Sequence, residues 1–168
     1  MKGTILFWLI MLTILMLPNE TNAQNKVRPY FNAGYVTSLG ECEDCLKVDQ
    51  GGSVRVGLLT SGRMGYYAGY LWFKKYFDRT RVEYDDQGSG FLAGVDFLLN
   101  RKGEVKFYLK GGLFFENLKS TYGNGRTENQ FSPKPDLGLF VHYKFLNVLL
   151  AWQPSDPSLI NLGVGLTL

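Results

Sequence analysis

One stretch of this 168-residue chain limits its possible folds more than any other: Val105 to Glu116, VKFYLKGGLFFE. Val105, Phe107, Leu109, Gly111, Leu113 and Phe115 alternate with Lys106, Tyr108, Lys110, Gly112, Phe114 and Glu116. Strict alternation is the period of a β-strand, whose successive side chains point to opposite faces. One face is apolar and the other carries charge. Soluble strands average about five or six residues, whereas a strand tilted across a bilayer needs about 9–11. The stretch therefore reads as a membrane strand, and any sheet that contains it must have a matching apolar face.

The amino terminus reads as an export signal. Lys2 supplies the positive start, Ile5 to Leu17 is an unbroken apolar core, Pro18 ends it, and Thr21-Asn22-Ala23 places small residues before a cut between Ala23 and Gln24. This predicts a cleaved signal peptide over residues 1–23 and a mature domain over 24–168. The residue directly after the cut is Gln24 and not cysteine, so a lipid anchor is not indicated. The apolar core is shorter than the roughly 17–25 residues of a spanning helix, and no comparable apolar run follows Pro18. A membrane location for the mature chain then requires a closed barrel, because only helices and closed barrels satisfy every backbone group in hydrocarbon. Twenty glycines and 15% aromatic residues suit such a barrel. The formal charge of +3 is too small and too scattered for a nucleic-acid footprint.

Eight stretches alternate between turn signals: residues 28–37, 52–60, 64–76, 90–99, 105–116, 136–144, 147–153 and 159–168. The connections alternate too. Those after the first, third and fifth strands are long (38–51, 77–87 and 119–135), and those after the second, fourth and sixth are short. An up-and-down barrel with short periplasmic turns and longer external loops has this pattern. The short turns allow the register to be set, since opposed residues share a face. Thr60 is expected to pair with Met64, Asn100 with Glu104, and Tyr143 with Leu146. Gly103 falls where the Arg-Lys-Gly loop requires a left-handed residue. The expected fold is thus all-β, an eight-stranded antiparallel up-and-down transmembrane β-barrel.

Alternation alone leaves two ways to orient the faces. A secreted soluble barrel of the lipocalin kind, binding a small apolar ligand, turns its apolar face inward. Three observations favour the reverse. Arg55, Asp96, Lys106, Lys110, Glu116, His142 and Lys144 share a face with Gly57, Gly94, Gly112, Gly138, Gly163 and Gly165. The interior of an eight-stranded barrel is only wide enough to be filled by side chains, so long charged residues there need small neighbours. Tyr70, Trp72, Tyr76, Tyr143 and Trp152 lie near strand ends, as girdle aromatics do. The glycine-x-tryptophan motif of many lipocalins is replaced by Asn32-Ala33-Gly34-Tyr35. The pattern resembles the small eight-stranded outer-membrane barrels of Gram-negative bacteria over nearly the whole mature chain. It departs from many of them in ending on Leu168 rather than on an aromatic residue.

The seven charged inner residues form an expected salt-bridged network, with Asp96 facing Tyr108 and lying diagonal to Lys106 and Lys110. A structural role is expected for His142, the chain's single histidine. Outer-membrane lipid A deacylases resembling this pattern place a serine nucleophile two residues after the histidine. Here that position is Lys144, so the nucleophile is missing and no catalytic residue is assigned. Cys42 and Cys45, in Glu-Cys-Glu-Asp-Cys, are a possible disulfide in an exported chain. Zinc would require four ligands, and no second cysteine pair or loop histidine supplies them. Neither metal nor cofactor is expected. The expected function is that of a non-enzymatic outer-membrane barrel with a plugged polar lumen. Its partners would be outer-membrane lipid, lipopolysaccharide and an unidentified protein or surface ligand met by the long loops.

Overall fold

The computed structural model describes residues 27–38, 47–79, 82–100, 102–122, 125–154 and 158–168. The export signal with its cut between Ala23 and Gln24, and the Cys42–Cys45 pair, lie outside the described residues. Eight strands follow one another: β1 (Arg28–Ser38), β2 (Lys47–Leu59), β3 (Met64–Arg79), β4 (Val82–Leu98), β5 (Val105–Tyr122), β6 (Thr127–Tyr143), β7 (Leu146–Gln153) and β8 (Leu159–Thr167). Each pairs antiparallel with the next, and β8 returns to β1, with Tyr30 opposite Thr167, so the sheet closes on itself. The alternation in the sequence leaves this closure as the way to hide both polar backbone edges.

The faces fall as the alternation requires. On β5, Tyr108, Lys110, Phe114 and Glu116 are buried while Phe107, Leu109, Leu113 and Phe115 are exposed. On β3, Tyr66, Tyr70 and Trp72 face outward, with Tyr67, Leu71 and Phe73 inside. Leu149 of β7, which breaks the polar pattern of its face, is buried in the lumen. From Val105 to Phe115, at about 3.3 Å per residue and a tilt of about 40°, the apolar outer face is about 25 Å tall. That is the height of the outward apolar band of a membrane barrel, and its polarity is opposite to that of a lipocalin.

Two of the expected turn registers hold, with Tyr143 opposite Leu146 on β6 and β7 and Leu59 opposite Gly65 on β2 and β3, in line with Thr60 and Met64. The β4–β5 turn differs by two residues. Leu98, not Asp96, lies opposite Tyr108, and Asp96 lies opposite Lys110. The last ladder bond runs from the Leu99 N–H to the Phe107 carbonyl. The Asn100 side chain occupies the space below it, accepting from the Phe107 N–H at 2.7 Å and donating to the Val105 carbonyl at 2.7 Å. A side-chain amide thus stands in for a pair of strand residues and lengthens the loop. Because the slip is two residues, every side chain keeps its face. Gly103 does adopt the left-handed conformation, with φ at 94°.

The larger correction concerns the long connections. Residues 77–79 and 82–87 belong to the β3–β4 hairpin, and 119–122 and 127–135 to the β5–β6 hairpin. These segments were expected as loops because their polarity does not alternate. Above an apolar belt both faces of a strand are wet, so the pairing continues without the pattern that reveals it. The result is a lopsided barrel: β3 to β6 run for 16–18 residues each, whereas β7 and β8 have 8 and 9.

Candidate functional site

Two buried ion pairs lie inside the barrel. Lys110 of β5 places Nζ 2.7 Å from Asp96 Oδ1 of β4, and Arg55 of β2 places Nη2 3.0 Å from Asp136 Oδ1 of β6, all four side chains being fully buried. Two tyrosines finish the carboxylates. The Tyr30 hydroxyl donates to Asp96 Oδ2 at 2.7 Å, and the Tyr67 hydroxyl donates to Asp136 Oδ2 at 2.7 Å. Gln153 Nε2 also donates to Asp136 Oδ1. Lys110 Nζ lies 3.3 Å from the centre of the Tyr67 ring, a cation–π contact that ties the two pairs together. Two cations face two anions, so the cluster is neutral without any bound ion.

Glycines make the room. A Cβ on Gly94 would come within 2.6 Å of the Tyr67 hydroxyl, and one on Gly69 within 2.8 Å of Arg55 Cγ. Apolar side chains pack beside the charges: the Phe140 ring lies tilted against Tyr30 at 4.7 Å and meets Tyr108 edge-on at 5.6 Å. Polar contacts close the lumen below and above. Asn32 donates to Asn147 at 2.8 Å near the short turns, while Asn161 donates to Ser53 at 2.6 Å. Toward the tall end, Lys134 pairs with Glu116 at 2.7 Å and Ser132 donates to the same carboxylate.

Among the sequence-derived candidates, Asp96 and Lys110 meet directly. Arg55 joins Asp136, and Glu116 joins Lys134, neither of which was among the candidates. Lys106 is half-buried near the short-turn end. Lys144 is misplaced by the sequence reading: it lies exposed in the β6–β7 turn with φ at 54°, because the two-residue loop turns the chain there before another inward position can form. His142 Nε2 is 2.6 Å from the Lys144 carbonyl oxygen, so this ring is tied to the turn. Asp136, Tyr30, Tyr67 and Gln153 were missed. Asp136 has the same parity as Gly138, Phe140 and His142, which was sufficient to place it inside. It stands first in the 136–144 strand read from the sequence, while Pro133 and Pro135 disguised the part of the strand before it.

A second feature lies above the apolar belt. On the outer face Lys74 follows Trp72 on β3 and Asn117 and Lys119 follow Phe115 on β5, and a hollow of about 420 Å³ there is lined by Gln50, Trp72, Lys74, Gln87, Asn117 and Lys119 among others. Among the described residues, no three His, Cys, Asp or Glu side chains converge to hold a metal.

No protein-family model and no curated protein sequence matches the chain. Solved structures do. The attachment invasion locus protein Ail of Yersinia pestis, solved in complex with the heparin analogue sucrose octasulfate, aligns over 86% of this chain and 97% of its own, at 16% identity and a TM-score of 0.52. Neisserial surface protein A, NspA, aligns over 86% and 97% at 13% identity and a TM-score of 0.56. A major outer membrane protein of Thermus thermophilus aligns over 84% and 98% at 10% identity and a TM-score of 0.59. At these identities the likeness is one of fold. The chain has the fold of the small eight-stranded outer-membrane β-barrels.

Proposed function

We propose that the mature chain is an integral outer-membrane barrel without enzymatic activity, its lumen plugged by side chains and its tall outer hairpins serving as a scaffold and binding or adhesion surface. The observation that carries this reading is the reversed polarity: an apolar belt outside and a neutral, hydrogen-bonded ion-pair cluster inside. In water that belt would be an aggregation surface, and in lipid it is the solvated one. Outer-membrane lipid and lipopolysaccharide are its immediate surroundings. The signal over residues 1–23 accounts for its export there. The Ail structure holds a heparin analogue on a barrel of this shape. In this chain Lys74 and Lys119 beside the hollow above the belt are groups able to meet a polar surface ligand.

Cell fractionation tests the reading. The mature protein, beginning at Gln24 by mass spectrometry, is expected in the outer-membrane fraction after high-salt washing and to be released only by detergent. Recovery in the aqueous fraction overturns it. Lipid A from cells with and without the protein is expected to carry the same acyl chains, and loss of a chain would make it an enzyme.

A further inference from the structure

Charge is distributed unevenly between the two ends of the barrel. Above the belt both signs occur, and residues 74–87 alone hold four cations and four anions. At the other end the three short turns carry Arg63, Lys102 and Lys144, and Arg28 opens β1, the strand that closes onto β8. These four side chains are exposed, and Lys106 stands just inside them, opposite His142. Among the described residues of these turns and strand ends, Glu104 is the one acidic side chain. The cations are also spread round the whole circumference, at the β2–β3, β4–β5 and β6–β7 turns and at the β8–β1 seam. Their neighbours fix their height. Met64 beside Arg63, Val105 beyond Lys102 and Leu146 beyond Lys144 are exposed at the lower edge of the apolar belt. Lys144 Nζ lies 5.2 Å from the centre of the Tyr143 ring, which is on the lipid-facing side. A cation within a few residues of the last lipid-facing side chain lies at the depth of the headgroups.

We infer that this cationic collar is a binding surface for anionic phospholipids of the phosphatidylglycerol class in the leaflet that the short turns face. It rests on the membrane reading above and adds which lipid charge the barrel prefers and at which end. A phosphodiester supplies both negative charge and acceptor oxygens to ammonium and guanidinium groups. A zwitterionic headgroup carries its own cation, which the collar repels, so selectivity follows from sign alone. The ring arrangement favours a leaflet over a soluble acidic partner. Headgroups surround the barrel at one depth and meet all four positions at once, whereas a soluble acidic chain would reach only part of the ring.

The test reconstitutes the full mature chain in phosphatidylcholine bilayers containing a trace of spin-labelled phosphatidylglycerol or spin-labelled phosphatidylcholine. Electron spin resonance then reads the fraction of each probe immobilised by the protein. At low salt the phosphatidylglycerol probe is expected to be preferred by at least about threefold. The preference should approach unity in about 1 M salt, where screening acts within about 3 Å. The combined variant Arg63→Gln, Lys102→Gln, Lys144→Gln should remove most of it and leave the circular dichroism spectrum unchanged, all three side chains being exposed. Where that variant fails to fold, Lys144→Gln alone and Arg63→Gln alone should each lower the preference. No preference in the unaltered barrel, or one kept in full by the variants, overturns the collar and leaves the membrane reading standing. A chain recovered free of vesicles after flotation sinks the membrane reading, and the collar with it. Polyglutamate bound by the unaltered barrel and released by the combined variant, without phosphatidylglycerol selectivity, would overturn the proposal in favour of a soluble acidic partner.

Discussion

Asp136 accepts from Arg55, Tyr67 and Gln153, side chains of three other strands, so its loss reaches further than any single contact suggests. Asp136→Leu leaves a buried guanidinium without its counter-ion, and breaking a buried pair on one side costs about 3–5 kcal/mol. Urea unfolding in detergent should show that loss. The double variant Arg55→Met, Asp136→Leu removes both charges and should recover most of it, since an apolar replacement of a buried pair is often neutral. If the single and double variants are equally unstable, the pairing contributes little. Lys144→Ala, on the exposed turn, should stay within about 0.5 kcal/mol of the parent. Gly94→Val tests the opposite fault. Its side chain would enter space held by the Gly111 carbonyl oxygen and the Gly112 Cα as well as by the Tyr67 hydroxyl, and overpacking against backbone should cost at least the upper part of the usual range of about 1–3 kcal/mol.

At the scale of the element, β5 divides along its length as well as between its faces. Below Phe115 its outer residues are apolar, and above it Asn117, Lys119 and Thr121 continue the same face in polar form. Leu109 sits near the middle of the apolar part. Leu109→Arg should destabilise the folded barrel in phospholipid by about 2–4 kcal/mol, the cost of a midplane cation on the lipid face. Lys119→Arg, on the same face but above the belt, should cost close to nothing. Equal effects at the two positions would mean that no lipid boundary separates them. The turn below β5 makes its own contribution. Asn100→Ala removes the bonds to Phe107 and Val105, and at about 0.5–1.5 kcal/mol each their loss should appear as faster amide exchange confined to the β4–β5 turn.

For the whole molecule, the closed sheet and the ion pairs inside it have one expected electrical consequence. The buried charges of the middle layer cancel in pairs, and Phe114, Phe140, Leu71 and Leu149 occupy the space around them. A barrel of eight strands has no room to spare for an aqueous pore. Reconstituted in planar bilayers, the protein should give no porin-like conductance, and frequent large steps would contradict a plugged lumen. The tall side of the barrel is the part that varies from the cylinder, and it sets apart an exposed rim from the membrane belt.

Alternation by itself sorted the residues into two faces, because a period of two survives any even slip in register, and the charges set among glycines, with the aromatics near strand ends, marked which face is the lumen. It was enough to place Lys110, Asp96, Arg55 and Glu116 on the inner wall and to give the order and number of strands. It could not tell which carboxylate each cation meets. Arg55 and Asp136 lie 81 positions apart and are brought together by closure of the sheet, while the side chain of Asn100 moved Asp96 from Tyr108 to Lys110. Nor did it reveal the upper halves of β3 to β6, since strands that are wet on both faces carry no hydrophobic period. Backbone pairing holds those segments, and it is decided between chain segments rather than within one.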